Sequence, residues 1–355
     1  MASTSRTRIT QVDREALAFI SRFPGADTRS VAQVLLTQAS NLPNETPSGK
    51  HPTVSAVTKR LTKLENLSCV QSWRNPASGI THWGILENGI DALTLFGQAP
   101  ALYKGISGKR GSALMHSRDT AHVAALLLHG EYADERVNAA VGSITLERFI
   151  PDALMQSSVT TLRKHDPNFS LYLHNESVLA EATPVHLSDP MFWITQPELL
   201  VFSAPANGNT EHLSHRPDLV VLGDKHRVAI EVEINVKPIS AYEDIMRLYV
   251  HNLMDFKNAN ERVARPIDRL IYLCANQNIK NAVTKAANSV HDELISGGFL
   301  IVADLADADG KPLTRDYTVP AAPKVTTAPR LTPTNTGVPV VNRPAQNPFA
   351  PPPVQ

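Results

Sequence analysis

The spacing of apolar residues predicts three helices in the first third of the chain. Apolar residues recur at helical intervals in three stretches that are separated by segments rich in Pro, Gly, Asn and Ser: 12–20, 31–36 and 54–64. Two short extended stretches follow, at 69–73 and 81–86, with Asn75-Pro76-Ala77-Ser78-Gly79 between them. This pattern is typical of a β-hairpin, and a short helix is predicted after it.

Three helices, a hairpin and a further helix are the element order of a winged helix-turn-helix, which we predict over 10–97. In such a domain the third helix enters a DNA groove and the hairpin is the wing. The solvent side of that helix and the wing tip carry side chains that suit phosphate and base contacts: Ser55, Thr58, Lys59, Arg60, Lys63 and Arg74. A winged helix that docks on protein instead of DNA is the alternative.

Helical and extended stretches continue after a linker that is predicted at 98–115. Helices are expected at 119–132, 240–256 and 278–296, and strands at 140–150, 217–222, 227–235, 269–275 and 299–305. The pattern assigns nothing to 151–198. The predicted fold is therefore α/β (α+β overall), with a mixed central sheet over 116–310. Residues 319–355 contain ten prolines and predict a disordered tail.

Charge is distributed unevenly although 34 basic residues balance 34 acidic ones. Residues 1–115 hold 13 Lys/Arg against 7 Asp/Glu, whereas residues 116–318 hold 18 against 27. A basic head on an acidic body predicts that the head binds a polyanion. The longest apolar run, Val123 to Leu128, is far too short to cross a bilayer, and no signal-peptide pattern is evident.

Cysteine usage excludes two further classes of protein. Cys69 and Cys274 lie far apart and form no Cys-x-x-Cys motif, which argues against a disulfide scaffold or a thiolate zinc site. The sequence thus predicts a cytoplasmic protein with no membrane association.

Acidic residues at two-residue spacing interrupt the apolar strand predicted at 227–235. Glu231 and Glu233 share one face of that strand, and the turn before it brings Asp218 of the preceding strand close to Glu231. Carboxylates in the middle of a strand are costly unless they are paired, protonated or bound to a cation. A hard cation such as Mg²⁺ would relieve the repulsion within the cluster, so Mg²⁺ is the expected cofactor if the site is active, and metal-assisted phosphodiester hydrolysis is the chemistry that such a site supports.

At these residues the sequence resembles a known group of proteins. Pro217-Asp218, followed thirteen residues later by a Glu-x-Glu strand and then a helix, is similar to the PD-(D/E)xK nuclease core. The order of motifs resembles the replication-relaxation family of plasmids, phages and integrative elements, which joins a winged helix to a nuclease-like domain. That order runs through Trp83 to Gly89, His116, Leu146-Glu147-Arg148, Arg216-Pro217-Asp218, Glu231-Val232-Glu233 and Tyr249.

The resemblance implies roles for the acidic residues. Asp218 and Glu231 would bind metal, with Glu147 as a candidate third ligand, and Glu233 would replace the usual lysine in positioning water. Lys237 is a candidate substitute cation. The sequence departs from the nuclease pattern at Glu233, and from the family's Asp-Arg pair at Glu233-Ile234. The alternative is a degenerate domain whose carboxylates only pair with Arg216, Arg227 or Lys237.

These observations lead to one main hypothesis and two alternatives. The main hypothesis is a DNA-binding accessory protein of a mobile element, acting in plasmid or phage replication, mobilisation or maintenance. Double-stranded DNA is its expected partner, together with replication or transfer proteins and, in a homodimer, a second copy. The alternatives are a Mg²⁺-dependent DNA endonuclease and a winged-helix transcriptional regulator. His212 and His215 fall in a polar loop, where histidines are mostly solvated.

Overall fold

The structure is a computed structural model of the chain. It describes residues 9–36, 50–76, 78–98, 101, 112–204, 213–253 and 266–313. All of them fall within one compact unit, Met1–Thr318. The tail predicted at 319–355, residues 102–111 of the predicted linker, and His212 lie outside the described residues.

The first part of the chain consists of helices and one hairpin in the predicted order. The elements are α1 (Gln11–Arg22), α2 (Thr28–Val34), α3 (Val54–Asn66), β1 (Val70–Arg74), β2 (Thr81–Ile85) and α4 (Glu87–Leu95). The first three helices each begin at a side chain that accepts a hydrogen bond from a backbone N–H of the first turn: Thr10, Asp27 and Thr53. The segment between α1 and α2 pairs with the hairpin, through an antiparallel bridge from Asp27 to His82.

The rest of the described chain is mixed α/β. Its helices are α5 (Ser112–Leu128), α6 (Glu135–Val141), α7 (Asp152–His165), α8 (Leu171–Glu181), α9 (Pro184–Ser188), α10 (Pro190–Thr195), α11 (Ile239–Leu253), α12 (Gln277–Val290) and α13 (Glu293–Ser296). Its strands are β3 (Phe149–Pro151), β4 (Phe202–Ala204), β5 (Leu213–His215), β6 (Leu219–Leu222), β7 (Arg227–Glu233), β8 (Arg269–Cys274) and β9 (Leu300–Asp304).

The described strands form a five-stranded mixed sheet of order β3-β6-β7-β8-β9. The pairs β3–β6 and β6–β7 are antiparallel, whereas β7–β8 and β8–β9 are parallel. A separate antiparallel pair joins β4 to β5. The mixed sheet expected from the sequence is therefore present.

The two faces of this sheet bury different hydrophobic cores. Val228, Ile230 and Val232 of β7 belong to a core that continues through α5 into the N-terminal helices and hairpin. Ala229 of β7 and Tyr272 of β8 face the opposite core, together with apolar residues of α7, α11 and α12. Alternation of side chains along the strands assigns each residue to one core or the other.

Helix α5 and Arg22 connect the N-terminal part to the sheet. The Ser30 hydroxyl of α2 lies 3.5 Å from His122 Nδ1 of α5. The buried Arg22 guanidinium at the end of α1 donates to the carbonyl of Glu147 at 3.0 Å and to the carbonyl of Phe149. The two parts therefore share one interior, and α5 already begins at Ser112, inside the predicted linker.

The strand predicted at 140–150 is wrong. Helix α6 ends at Val141, Gly142 turns the chain at a φ of 72°, and only β3 remains as a strand. Glu147 lies in the short 3₁₀ turn Leu146–Arg148 and is exposed. The unassigned stretch 151–198 forms α7 to α10 and the start of a second 3₁₀ turn, Pro197–Leu200. No helix in the described ranges combines the length and apolar character of a membrane span.

Candidate functional site

Helix α3 presents a polar face to solvent. It buries three apolar residues, Val57, Leu61 and Leu64, at helical spacing. The other side carries hydroxyl and amino groups that are exposed: Ser55, Thr58, Lys59 and Thr62. These predicted DNA-contacting residues therefore lie together on one accessible surface, which we call the α3 surface.

Two of the predicted DNA-binding cations face a buried acid. Arg60 Nη1 lies 2.7 Å from Asp13 Oδ1, and Lys63 Nζ lies 3.7 Å from Asp13 Oδ2. Asp13 is fully buried and also receives the Thr10 N–H and hydroxyl at 2.8 Å each. Burial raises the pKa of Asp13, but the hydrogen bonds from Thr10 and Arg60 outweigh it and lower the pKa overall. Arg60 therefore links α3 to α1 and is half-buried at the edge of the α3 surface.

A groove of about 400 Å³ separates α3 from the hairpin. Its walls carry five residues with hydroxyl groups: Thr28, Thr58, Thr62, Ser72 and Thr81. The hairpin is fixed to α3 because Glu65 accepts hydrogen bonds from the Ser72 N–H at 2.9 Å and from its hydroxyl at 2.6 Å. Arg74 is exposed at the end of β1, where its Nε donates to the Gly79 carbonyl at 3.2 Å.

The second candidate site is built around β6 and β7. The antiparallel register pairs Leu219 with Ile230, which places Asp218 beside Glu231. Asp218 Oδ1 lies 2.7 Å from His116 Nε2, and Asp218 Oδ2 accepts the Val232 N–H at 2.7 Å. Asp218 is therefore held by α5 on one side and by the β7 backbone on the other.

Glu231 is almost fully buried and has two side-chain partners. Its Oε1 lies 2.6 Å from His215 Nε2 of β5 and accepts the hydroxyl of Tyr249 from α11. Tyr272 lies opposite Glu231 in the parallel β7–β8 register, and its buried hydroxyl has no hydrogen-bond partner among the described residues. Burial, followed by the charge of Glu231, raises the pKa of both tyrosines.

Glu233 is paired with Lys237, four residues further along the chain. Burial raises the pKa of Glu233, with contributions from Glu231 and Asp218, and this outweighs the opposing effect of Lys237. Burial would lower the pKa of Lys237, but its hydrogen bond and charge interaction with Glu233 raise the pKa overall. Lys237, the candidate substitute cation, therefore contacts Glu233, the residue at the position where the nuclease pattern has lysine.

The two histidines of this cluster also favour their protonated forms. Burial lowers the pKa of His116, but the hydrogen bond and charge of Asp218, with help from Asp152 and Asp119, raise it to about 9. Burial likewise opposes the charge of His215, and Glu231 outweighs it so that the pKa is raised. Each of the three carboxylates therefore has a basic side chain as its partner, in the pairs His116–Asp218, His215–Glu231 and Lys237–Glu233. We call this set the acid–base cluster.

The donor set, as folded, does not fit Mg²⁺ well. Each of the three carboxylates already has a basic partner, and a hard divalent cation would have to compete with these partners for the carboxylates. Within the described ranges, no group of three or more His, Cys, Asp or Glu side chains is placed to hold a metal ion. Glu147, the candidate third ligand, lies in its exposed turn. Magnesium binding by Asp218, Glu231 and Glu147 stays a prediction.

Other sequence-based interpretations are changed by the structure. His215 is not a solvated loop histidine, because it lies on β5 with a side chain only 18% exposed and bonded to Glu231. Arg227 meets Asp268 at 3.7 Å rather than the acid–base cluster. No local pattern marks His215, since its partner Glu231 is 16 residues away, and only the order of motifs points to His116 and Tyr249.

Comparisons with protein-family models, with curated proteins and with solved structures find no match to this chain.

Proposed function

We propose that this protein is a DNA-binding accessory protein in which a winged helix, residues 10–97, docks on duplex DNA through the α3 surface. The observation that carries the proposal is the exposed face of α3, where Ser55, Thr58 and Lys59 stand together above three buried apolar residues. Lysine and short hydroxyl side chains are the groups that neutralise phosphates and approach base edges.

The neighbouring elements support this assignment. The segment before α2 pairs with β2 through the bridge from Asp27 to His82. The elements α1, α2, α3 and the β1–β2 hairpin, with this extended segment between α1 and α2, follow in the order of a winged helix. Arg74 is exposed at the hairpin, where a wing contacts the DNA backbone. From the sequence resemblance to the replication-relaxation family, we further propose a role in plasmid or phage replication, mobilisation or maintenance.

In this proposal the acid–base cluster is a structural feature of the body. Its three pairs join α5 to Asp218, just before β6, β5 to β7, and β7 to Lys237, just before α11. These structural pairs, without catalysis, are sufficient for a nuclease-like body that serves as scaffold or dimer surface of a binding protein.

Duplex binding, followed by fluorescence anisotropy over a range of salt concentrations, tests the proposal. We expect Lys59→Gln to weaken binding several-fold and to reduce the slope of log K against log salt by about one, because one phosphate contact is lost. Lys285→Gln is the matched control, since Lys285 is an exposed lysine of α12 without an ion pair among the described residues. Equal affinity and slope for Lys59→Gln and the wild-type chain would contradict the proposal.

One observation favours a second candidate, a Mg²⁺-dependent endonuclease. The antiparallel β6–β7 register brings Asp218 beside Glu231, and the buried Tyr272 hydroxyl opposite Glu231 has no hydrogen-bond partner in the described part of the chain. Supercoiled plasmid incubated with Mg²⁺ separates the candidates. Nicking that disappears in Glu231→Gln supports the enzyme, whereas DNA that is shifted but intact supports the accessory protein.

A further inference from the structure

A polar cavity of about 300 Å³ lies beside the acid–base cluster. Helix α7 contributes Gln156 and Arg163 to its wall, and β5 with the residue after it contributes Ser214, His215 and Arg216. Residues 156 and 163 lie two turns apart on one face of α7. We call this cavity the arginine pocket. Its volume is at the lower end of the range for ligand sites, which suits a small group rather than an extended cofactor.

The arginine pocket is cationic in an otherwise acidic body. Two guanidinium groups and one imidazole line it, and none of its described lining residues is an acid. Arg163 and Arg216 are exposed and make no hydrogen bond or ion pair within the described part of the chain. Guanidinium groups are charged at physiological pH, so two of them in the lining of one cavity without an acidic residue give it a positive potential that attracts anions.

The identity of these groups indicates an oxyanion. Planar guanidinium groups present paired N–H donors that match phosphate oxygens, and the Ser214 hydroxyl and the Gln156 amide add polar groups to the same wall. His215 lines the cavity and also contacts Glu231 through Nε2, so the pocket lies next to the acid–base cluster.

We propose that the arginine pocket binds a phosphodiester group of a nucleic acid, as a second contact in addition to the α3 surface. A free phosphate ion would satisfy the same donors. The choice of a phosphodiester therefore rests on the proposed function, DNA binding by this chain. It places backbone phosphate beside His215, whose Nε2 contacts Glu231, and it gives the acidic body a local cationic contact with the polyanion that binds the head.

The double variant Arg163→Gln/Arg216→Gln of the full chain tests the pocket. Both side chains are exposed, so the fold should persist, which circular dichroism checks. With a duplex of about 30 base pairs, we expect an affinity about 10- to 100-fold lower than wild type and a salt slope reduced by about two. Lys285→Gln should match the wild-type chain, and adding the double change to Lys59→Gln should reduce the slope further.

The outcomes separate this proposal from the proposed function. If Lys59→Gln weakens binding and the double variant does not, the arginine pocket is not a nucleic-acid site while the proposed function stands. Inorganic phosphate could shift the His215 NMR signals of the wild-type chain while the double variant binds duplex DNA with wild-type affinity. In that case the pocket binds free phosphate and the proposal is overturned. A wild-type chain that binds no duplex overturns both.

Discussion

His116 is the residue whose environment has the clearest consequence for stability. Its imidazole lies 2.7 Å from Asp218, and Asp152 and Asp119 add negative charge around it, so the pKa is about 9 instead of 6.5. A group whose pKa is raised on folding stabilises the protein fully below its unfolded value and loses that contribution as pH rises through the folded value. Stability from His116 should therefore disappear between about pH 6.5 and 9.

We predict that His116→Gln removes this pH dependence. The free energy of unfolding of the wild-type chain should exceed that of the variant by on the order of 2 kcal/mol at pH 6, and the gap should close near pH 9.5. Denaturant unfolding of both proteins at several pH values measures the gap. A difference that is constant with pH would show that His116 acts through packing and not through its charge.

At the scale of elements, the Asp13–Arg60 pair determines how α3 is held against α1. Arg60 donates both to the buried Asp13 carboxylate and to the Thr10 hydroxyl at 3.0 Å, whereas Lys59, one residue earlier, is exposed. Neighbouring cations on one helix thus have different roles. Burial and hydrogen bonding, not sequence spacing, distinguish them.

We predict that Arg60→Gln destabilises the protein by about 1–3 kcal/mol, while Lys59→Gln changes stability by less than about 0.5 kcal/mol. Arg60→Gln leaves a buried carboxylate short of its cation, and Lys59 is solvated. Because the pKa of Asp13 is lowered, the stability that this carboxylate provides is present above pH 3.8 and falls as pH drops through its folded pKa. Urea unfolding measures both effects, and equal destabilisation by the two variants would refute the distinction.

At the scale of the whole molecule, the N-terminal part and the sheet are expected to unfold together. One hydrophobic core continues from α1 through α5 to β7, and Arg22 binds the carbonyls of Glu147 and Phe149 from α1. Burial, only partly opposed by Glu147, lowers the pKa of Arg22 to about 10, which still leaves it charged at neutral pH. The head and body that the sequence separates by a linker are therefore joined by buried contacts.

We predict a single calorimetric transition for the described parts of the chain. Arg22→Met should lower its midpoint by roughly 4–8 °C, since two buried carbonyls lose a charged donor worth about 2 kcal/mol in total. Lys59→Gln is the control and should leave the midpoint unchanged. Two resolved transitions in the wild-type chain would show instead that head and body unfold independently.

Much of the fold could be predicted because it depends on local patterns. The apolar spacing of α1, α2 and α3 and the alternation in β7 follow from residues that are neighbours in the chain. The strand predicted at 140–150 fails because α6 extends to Val141 and Gly142 then turns the chain. The stretch 151–198 gives no clear pattern because α8 is weakly amphipathic and α9 and α10 are very short.

Local sequence patterns predict the buried apolar faces of α1, α3 and β7 and place Asp218 close to Glu231, because strand alternation and a tight turn act over a few residues. The tertiary structure, by contrast, gives each charged side chain its partner. It pairs His116 with Asp218 across 102 residues, His215 with Glu231 and Arg60 with Asp13, and it gathers Arg163 and Arg216 around one cavity. These pairings depend on how distant segments pack, and no local pattern encodes that packing.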